Sequence, residues 1–388
     1  MKPNINAFRK RVTYKSYEAL RSPLSEAKNA CPELTSEGNK PLSFEFDDQL
    51  DVLIYHHLQG FESGSHLLQS LEEDDLAREL VAPANGLKKS TFFEAISTRG
   101  LEQLLHVYRN LYAQAKDLLP DQYESLGHIV AIDGSFISAT LSMDWADYRG
   151  GANKAKVHLG LDINHGIPSG FHLTDGKADE RPFVGRILEP GQTGVLDRYY
   201  QKHKNFDSLQ QEQKHFVCRI KDNTTVDVIE EYETPSDSNV FFDALVLLGT
   251  KNINQTEKPV RLVKYTIEGL DYWVATDRFD LTAEEIALIY KLRWDVEKFF
   301  GWWKRQMNVY HLISRTEYGL MVQIVTGLIT YLLLAIYCHN HHKEKVSIKR
   351  VRELRSQMLN EALADPPRSR RKSGRKRKKK PKSKPAKS

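Results

Sequence analysis

The sequence predicts an α/β protein in which a mixed β-sheet is preceded by a helical region and interrupted by a strand-rich segment. Residues 1–125 carry apolar residues at spacings of three and four, the pattern of helices that bury one face. Residues 127–219 give three strand-like runs followed by alternating strand and helix, which is typical of a mixed sheet. Residues 224–280 hold four more strand-like runs separated by turn residues. A chain of 388 residues is long enough for two or three such modules around a sizeable core.

The helical region contains two long amphipathic segments, DDQLDVLIYHHLQGF and GLEQLLHVYRNLYAQAKDLL. Between them, GLKKSTFFEAISTRG predicts a short helix that is capped by Ser90 or Thr91 and preceded by Lys88 and Lys89. Residues 63–99 therefore fit either a DNA-reading helix-turn-helix or a plain helical hairpin, and the sequence leaves both open.

The mixed sheet is predicted from short runs rich in β-branched residues. The first three strands are HIVAIDGSFISAT, AKVHLGLDIN and PSGFHLT; GVLD and FVCRIKDN follow, with the helix FDSLQQEQKH between them. After the strand-rich segment, Thr282 and Glu285 form a capping box that begins a long helix through IALIYKLRWDVEKFFGWWKRQM. The apolar run at residues 320–338 is nearly long enough to span a bilayer, but polar residues dilute it, and a buried core helix is expected.

The net charge of +5 comes from one end of the chain. Residues 367–388 hold 13 Lys and Arg and no acid, which leaves 43 bases against 51 acids in the rest. The body is therefore acidic, so any contact with nucleic acid there must be local, and the tail must supply much of the long-range attraction. The tail from Pro366 onward is expected to be disordered because its composition cannot bury a core.

Composition excludes several classes of protein. Hydrophobic residues make up 40% and charged residues 28%, which are globular values. Three scattered cysteines without a CxxC pair exclude a disulfide scaffold and a zinc ribbon and favour a reduced, cytoplasmic compartment. The first twenty residues have no apolar core, so no secretory signal is expected. The histidines show no metal-ligand spacing, and His56 and His57 are expected at exposed helix positions.

Candidate chemistry lies on the long helix. Tyr290, Arg293, Glu297 and Lys304 fall within an arc of about 60° when drawn at about 100° per residue. One carboxylate therefore lies between a phenol and two cations, beside the buried face. A solvated edge with ordinary ion pairs is the plain alternative.

Two aspartates end predicted strands and complete the candidate site. Asp133 ends HIVAID, and Asp197 ends GVLD. A carboxylate at the end of a buried strand needs a partner, so each is either a cap for a turn or a ligand. If both converge with Glu297, three carboxylates need cations between them, and all-oxygen ligands favour Mg²⁺ or Mn²⁺ over zinc.

These residues resemble the catalytic triad of the insertion-sequence DDE transposases. Asp133 in AIDGSFI, Asp197 in VLDRYY and Glu297 in YKLRWDVEKFFGWWK match the three acids. Tyr290, Arg293, Glu297 and Lys304 match the pattern Tyr-x2-Arg-x3-Glu-x6-Lys of the insertion-sequence-four family with no departure in spacing. The resemblance covers residues 127–340, roughly half of the chain.

The resemblance implies a ribonuclease-H-like core with a β-rich insertion and an all-α N-terminal domain. The implied divisions are a DNA-end-binding domain at 1–125, core parts at 126–223 and 281–345 around the insertion at 224–280, a C-terminal helix at 346–365 and the disordered basic tail at 366–388.

The implied activity is cleavage of transposon ends at their inverted repeats and joining of the freed 3′-OH to target DNA, with a hairpin intermediate left open. Asp133, Asp197 and Glu297 would hold two Mg²⁺ ions, for which Mn²⁺ can substitute. Tyr290, Arg293 and Lys304 would contact DNA phosphates. The partners implied are DNA and a second copy of the chain in the synaptic complex, with no membrane and a place in the cytoplasm on the nucleoid.

Two tryptophans complete the expected DNA contacts. Trp294 follows Arg293, and Trp273 lies in the last strand of the strand-rich segment. Either can stack on a base displaced near the cleavage site, although ordinary core packing explains both equally well. The rival functions are a DNA-binding relative without catalysis and a membrane-anchored protein that uses residues 320–338.

Overall fold

The computed structural model describes residues 15–36, 41–140, 142–234 and 236–364. The predicted disordered tail at 366–388 lies outside the described residues.

Helices fill the described part of the chain before the first strand, as the sequence predicts. They are α1 (Lys15–Arg21), α2 (Leu24–Ala27), α3 (Phe46–Gln59), α4 (Gly64–Glu73), α5 (Asp75–Leu80), α6 (Lys89–Thr98) and α7 (Leu101–Leu118). The predicted cap of α6 is wrong, because the helix begins earlier and Lys88, whose backbone is extended, takes the cap position without a side-chain hydrogen bond. Ser90 and Thr91 lie inside the helix.

The strands form one mixed sheet in the described residues. They are β1 (Ile129–Ser138), β2 (Lys154–Asp162), β3 (Ile167–Asp175), β4 (Thr193–Leu196), β5 (His215–Arg219), β6 (Val226–Glu231), β7 (Val240–Leu248), β8 (Val260–Ile267) and β9 (Leu270–Thr276). Their order across the sheet is β3-β2-β1-β4-β5-β9-β8-β7-β6. β1, β4 and β5 run parallel, and the remaining neighbours pair antiparallel. The strand-rich segment therefore extends the same sheet, joining it where β9 pairs with β5.

Helices cover both faces of the sheet. α8 (Arg181–Ile187) and α9 (His203–Gln211) pack on the face that carries Val130 and Ile132 of β1. α10 (Ala283–Leu292), α11 (Trp294–Gln306) and α12 (Glu317–His342) pack on the face that carries Ile129 and Ala131. The alternation of adjacent β1 residues between two hydrophobic clusters is the period-two pattern of a strand buried on both sides.

The predicted long helix is divided at Arg293. Thr282 and Glu285 form the predicted capping box at the start of α10. α10 ends at Leu292 and α11 begins at Trp294, although Arg293 keeps helical dihedral angles of φ −53° and ψ −33°. The amide of Arg293 donates to Tyr290 at 3.1 Å and that of Val296 to Arg293 at 3.3 Å, so the chain tightens into a short-range turn here.

α12 is the apolar segment that the sequence singles out. It is long and apolar enough to cross a membrane, but 89% of its most apolar window is buried inside the protein. α3, α6 and α7 pack against it. One hydrophobic cluster contains residues of α12, of helices near both ends of the described chain and of the sheet. α13 (Ile348–Ala364) closes the described chain and packs on α1 and α3. The expected core helix is confirmed.

The histidine expectation is wrong at α3. His56 and His57 are fully buried. His57 Nδ1 lies 2.8 Å from the carbonyl oxygen of Met307, and its Nε2 lies 3.2 Å from the hydroxyl of Thr326. The two residues look polar in sequence, but the contact between α3 and α12 encloses the ring of His57, and the ring of His56 stacks on Phe61.

Candidate active site at the strand ends

Asp133 and Asp197 come together because their strands are parallel. β1 pairs with β4 in the register Ala131 to Val195. Asp133 and Asp197 each lie two residues further along, at the carboxyl end of the pairing. Parallel strands keep residues level with one another, so the two carboxylates occupy the same end of the sheet. The prediction for Asp197 is confirmed, because Asp197 directly follows β4. The prediction that Asp133 ends its strand is wrong, because β1 continues to Ser138 through its pairing with β2.

Asp133 is largely buried, and charges of both signs act on its carboxyl group: the acids Glu180 and Asp197 and the cations Arg293 and Lys304. Its Oδ1 accepts a hydrogen bond from the amide of Gly134 at 2.9 Å. Burial raises the pKa of Asp133 to about 7, against the opposing effect of the Gly134 amide and the Arg293 cation, while Glu180 and Asp197 raise the pKa further. Burial is therefore the main cause of the raised pKa of Asp133.

Asp197 caps the short turn that follows β4. Its Oδ1 accepts from the amide of Tyr199 at 2.8 Å, and its side chain remains half-buried. The cap that the sequence leaves open as one alternative is therefore present. It uses one carboxylate oxygen, and the negative charge of Asp197 still acts on Asp133.

Glu297 lies one helical turn beyond Arg293 and is paired with it. Arg293 Nη2 donates to Glu297 Oε1 at 2.8 Å, with 9% of the arginine side chain and 37% of the glutamate side chain exposed. The cation of Arg293 also lowers the pKa of Asp133, so one guanidinium acts on two of the predicted catalytic acids. α11 packs on β1, so the side of the helix that carries Arg293 and Glu297 faces this strand.

Lys304 joins α11 to β1. Its Nζ donates to the carbonyl oxygen of Phe136 at 2.7 Å, three residues after Asp133. Burial lowers the pKa of Lys304 to about 8, while the Asp133 carboxylate opposes the shift. Tyr290 is buried beside Arg293, and its ring centroid lies 6.0 Å from that of Tyr272 on β9.

The two predicted stacking residues have different surroundings. Trp294 is 55% exposed, and the Arg293 guanidinium lies 5.4 Å from its ring centroid. Trp273 packs with the hydrophobic cluster on the face of the sheet opposite α11, with Lys264 Nζ 3.6 Å above its ring. The structure therefore places Trp294 beside the predicted acids and Trp273 on the far side of the sheet.

The three predicted metal ligands do not form a ready cluster. Across the described ranges, no group of three His, Cys, Asp or Glu side chains is close enough to hold a metal ion. Asp133 and Asp197 share one end of the sheet, and the carboxylate of Glu297 is bonded to Arg293 instead. The donor chemistry still fits a hard cation, since all three residues offer carboxylate oxygens.

A fourth acid at this site was missed by sequence analysis. Glu180 Oε1 lies 3.1 Å from Lys156 Nζ, and its Oε2 accepts from the hydroxyl of Tyr200 at 2.9 Å. A Cβ added to Gly134 would lie only 2.5 Å from Glu180, so the glycine beside Asp133 is required for this close approach. The preceding acid, Asp179, pairs instead with Arg181. The adjacent pair Asp179–Glu180 was the available signal, but sequence does not say which of them points inward.

Comparison with protein-family models identifies the family of this chain. Residues 124–333 match the family model of the Transposase DDE domain. The matched residues make up more than half of the chain. This chain belongs to the DDE transposase family. The matched residues run from just before β1 into α12 and include the strand ends and α11.

Three curated relatives carry transposase names. A probable transposase for insertion sequence element IS5377 from Geobacillus stearothermophilus is 30% identical over 209 residues, covering 53% of this chain and 55% of the relative. A protein from Synechocystis named as a transposase for element IS4SA is 25% identical over 257 residues, covering 64% and 71%. A protein named as transposase y4zB from Sinorhizobium fredii is 25% identical over 212 residues, covering 53% and 59%. The aligned part thus spans little more than half of the first relative.

The family resemblance drawn from the sequence is therefore confirmed as a DDE transposase of an insertion sequence. The mixed α/β architecture agrees with that family. DDE transposase domains generally use divalent metal ions. The helices before β1 and the last helix lie outside the matched residues.

Proposed function

We propose that this protein is the transposase of an insertion sequence. It binds the terminal inverted repeats, cleaves the DNA ends by hydrolysis and joins the freed 3′-OH ends to target DNA, with Asp133, Asp197 and Glu297 as its catalytic carboxylates. The observation that carries the proposal is the parallel register of β1 and β4, which sets Asp133 and Asp197 side by side beneath the helix that bears Glu297.

The cofactor proposed is a pair of Mg²⁺ ions, for which Mn²⁺ can substitute, held by Asp133, Asp197 and Glu297. Such ions, when bound, stabilise charge on the attacking and leaving oxygens of a phosphodiester. The protein's own part is to collect the ligands. Arg293 orients the Glu297 carboxylate and neutralises it until cations arrive, and the Gly134 amide fixes one oxygen of Asp133.

The DNA contacts follow from the same geometry. Lys304 is held at Phe136 by one hydrogen bond, which leaves its two other N–H groups free to meet a phosphate oxygen. Arg293 and Tyr290 flank the glutamate and provide further donors. Trp294 exposes its ring beside this row and can stack on a displaced base. Trp273 is proposed as a second stacking residue, one that acts from the opposite face of the sheet.

The remaining assignments concern regions beyond the strand ends. The helices before β1 are proposed to recognise the transposon end, and the basic segment 366–388 is proposed as a nonspecific DNA tether. Two copies of the chain are proposed to act together in the synaptic complex, without a membrane and on the nucleoid in the cytoplasm. A hairpin at the cut end is one route that this chemistry permits.

The test is a cleavage assay on DNA that carries the element's own ends, with Mg²⁺ present. Asp133→Asn, Asp197→Asn and Glu297→Gln should each reduce the cleavage rate by at least about 1,000-fold while DNA binding is kept. Asp144→Asn is the matched control, because Asp144 is an exposed acid in the loop after β1 and should keep the full rate. Wild-type rates in any one of the three catalytic variants would reject the assignment.

The second candidate is a relative that binds DNA without cleaving it. The ion pair between Arg293 and Glu297 favours this alternative, because the glutamate already has a partner. Such a protein would bind the same ends, with or without Mg²⁺, and would leave them uncut. The cleavage assay separates the two functions directly.

A further inference from the structure

A second cationic and aromatic surface lies on the reverse side of the catalytic strand. Phe136 follows Asp133 by three residues, and strand side chains alternate, so its ring points to the opposite face of β1. The ring is 36% exposed, which is unusual for a strand whose first four residues are fully buried. Its neighbour is Tyr148, with ring centroids 5.2 Å apart in an edge-to-face arrangement.

Two lysines add positive charge to these rings. Lys154 Nζ lies 5.3 Å from the centroid of Phe136 and 4.6 Å from that of Tyr148, and Lys156 Nζ lies 5.0 Å from Phe136. Lys156 is committed to Glu180, whereas Lys154 forms no ion pair within the described parts of the chain. The surface formed by Phe136, Tyr148 and Lys154, the reverse surface, therefore combines two aromatic rings with one uncompensated cation.

The reverse surface is held in place by its surroundings. A Cβ added to Gly176 would lie 2.6 Å from the ring of Tyr148, so the tyrosine packs directly on this glycine. The amide of Lys154 donates to the carbonyl of Ala146 at 2.8 Å, which fixes the loop that carries Tyr148 to the start of β2. The rings are therefore positioned before any ligand binds.

Cleavage of a DNA strand requires contacts on both sides of the cut. The signature residues of α10 and α11 lie on one face of β1, where the transposon end is proposed to bind. The phosphodiester that is cut joins the transposon end to the flanking DNA, so the strand continues past the cleaved bond. The reverse surface lies close to Asp133 along the chain but on the other face of β1, where it can bind the flanking strand.

The chemistry of the reverse surface suits DNA of variable sequence. An insertion sequence is flanked by different DNA at each site, so its flank cannot be recognised through specific base edges. Stacking on aromatic rings together with a backbone-directed cation tolerates any base. We propose that Phe136, Tyr148 and Lys154 form the subsite that holds the flanking strand, displaced from its duplex, beyond the cleaved bond. This inference rests on the proposed transposase function and assigns a separate part of its substrate to these residues.

The experiment compares two DNA probes in EDTA, so that no cleavage occurs. Both carry the terminal repeat found beside the reading frame; one ends flush at the cut position, and the other continues into a single-stranded flank of about ten nucleotides. Dissociation constants are measured by fluorescence anisotropy, and 2-aminopurine at the first flank position reports stacking. Wild-type protein should bind the flanked probe more tightly and quench its fluorescence.

Phe136→Leu and Lys154→Gln test the subsite with little change in side-chain volume. Each should weaken binding of the flanked probe about tenfold, and Phe136→Leu should abolish the quenching, while the flush probe keeps its affinity. Phe241→Leu is the matched control, because Phe241 is 51% exposed on β7, far along the same sheet. It should change neither probe.

The outcomes separate the subsite from the function. Equal losses on both probes, unchanged binding of the flanked probe, or the same effect from Phe241→Leu would overturn the subsite while leaving the transposase proposal intact. Failure of the wild-type protein to bind either probe would overturn both. Melting curves for the variants establish that the binding data come from folded protein.

Discussion

Two regions of this molecule bury groups that can ionise, and they treat the charge in opposite ways. Burial lowers the pKa of His57, which lies between α3 and α12, to about 4 and that of the adjacent His56 well below its usual range, so both rings are neutral at physiological pH. At the strand ends, Asp133, Arg293 and Glu297 are kept together as charged or readily charged groups. The first region holds neutral polar groups within a packed interface. The second holds several charged groups close together, where a charged ligand can bind.

The comparison shows what burial alone can and cannot indicate about function. Desolvation is the largest effect on the pKa of His57 and of Asp133 alike. The difference lies in the neighbours: His57 faces a carbonyl and a hydroxyl, while Asp133 faces two further acids and a shared arginine. A perturbed pKa therefore points to a functional site only where opposing charges converge.

The largest expected contrast is between two buried arginines. Arg261 forms a two-pronged pair with Asp243 at 2.8 and 2.7 Å inside the sheet, away from the strand-end acids. Arg261→Lys should lower the free energy of unfolding by about 3 kcal/mol, because a lysine cannot reproduce the fork. Arg293→Lys should instead reduce the cleavage rate about 100-fold, with a loss of stability below about 1 kcal/mol, because its partner Glu297 is 37% exposed and can still pair with a lysine.

Urea unfolding and single-turnover cleavage measure the two effects separately. Each rate is normalised to the folded fraction of the variant. If Arg293→Lys unfolds the protein and keeps its rate, or Arg261→Lys loses its rate while remaining stable, the division between a structural and a functional charge pair is wrong.

The histidine contact predicts a loss of stability in acid. The folded pKa of His57 is about 4, below the usual value of 6.5, so the unfolded chain takes up the proton first as the pH falls. The stability contributed by neutral His57 is present above pH 6.5 and is lost progressively toward pH 4, by about 2–3 kcal/mol. His57→Gln keeps a donor for Met307 and should flatten this dependence.

Urea midpoints at several pH values between 4 and 7 provide the measurement. His341→Gln is the control, because His341 is exposed near the end of α12 and should leave the acid dependence in place. An unchanged slope in His57→Gln would show that other groups cause the loss.

The smallest expected effect concerns Glu180. Its charge adds to the negative field at Asp133, so Glu180→Gln should raise the Mn²⁺ concentration for half-maximal cleavage by about 3- to 10-fold. Asp179→Asn removes the neighbouring charge, which is paired with Arg181, and should change the requirement by less than about twofold. A Mn²⁺ titration of both variants decides the matter; equal shifts would mean that the position of Glu180 beside Gly134 is irrelevant.

Sequence reasoning succeeded where local pattern decides structure. The strand that ends just before Asp197 follows from a short apolar run, and the capping box at Thr282 follows from residue types three apart. The β-branched run before Asp133 predicted a strand there, but β1 continues five residues past Asp133. Features that depend on distant segments were missed. The inward direction of Glu180 depends on Lys156 and Tyr200, and the burial of His57 depends on the packing of α3 on α12.

The spacing of the signature residues predicted only part of the geometry of α10 and α11. A single continuous helix places Arg293 and Glu297 on one face, and the pair is indeed formed. The division at Arg293 was not predictable, because the residue keeps helical dihedral angles and no glycine or proline marks the position. The DNA contacts, the metal ions and the second copy of the chain remain predictions.

The central claim is that Asp133, Asp197 and Glu297 share one cation site in the working enzyme. Its most direct test replaces Mg²⁺ with Fe²⁺ on the DNA-bound protein and uses ascorbate and peroxide to cut the polypeptide near the bound iron. Mass spectrometry should find cuts close to all three residues, and Asp133→Asn should remove all of them together. Cuts near Asp133 and Asp197 with none near Glu297 would contradict the claim.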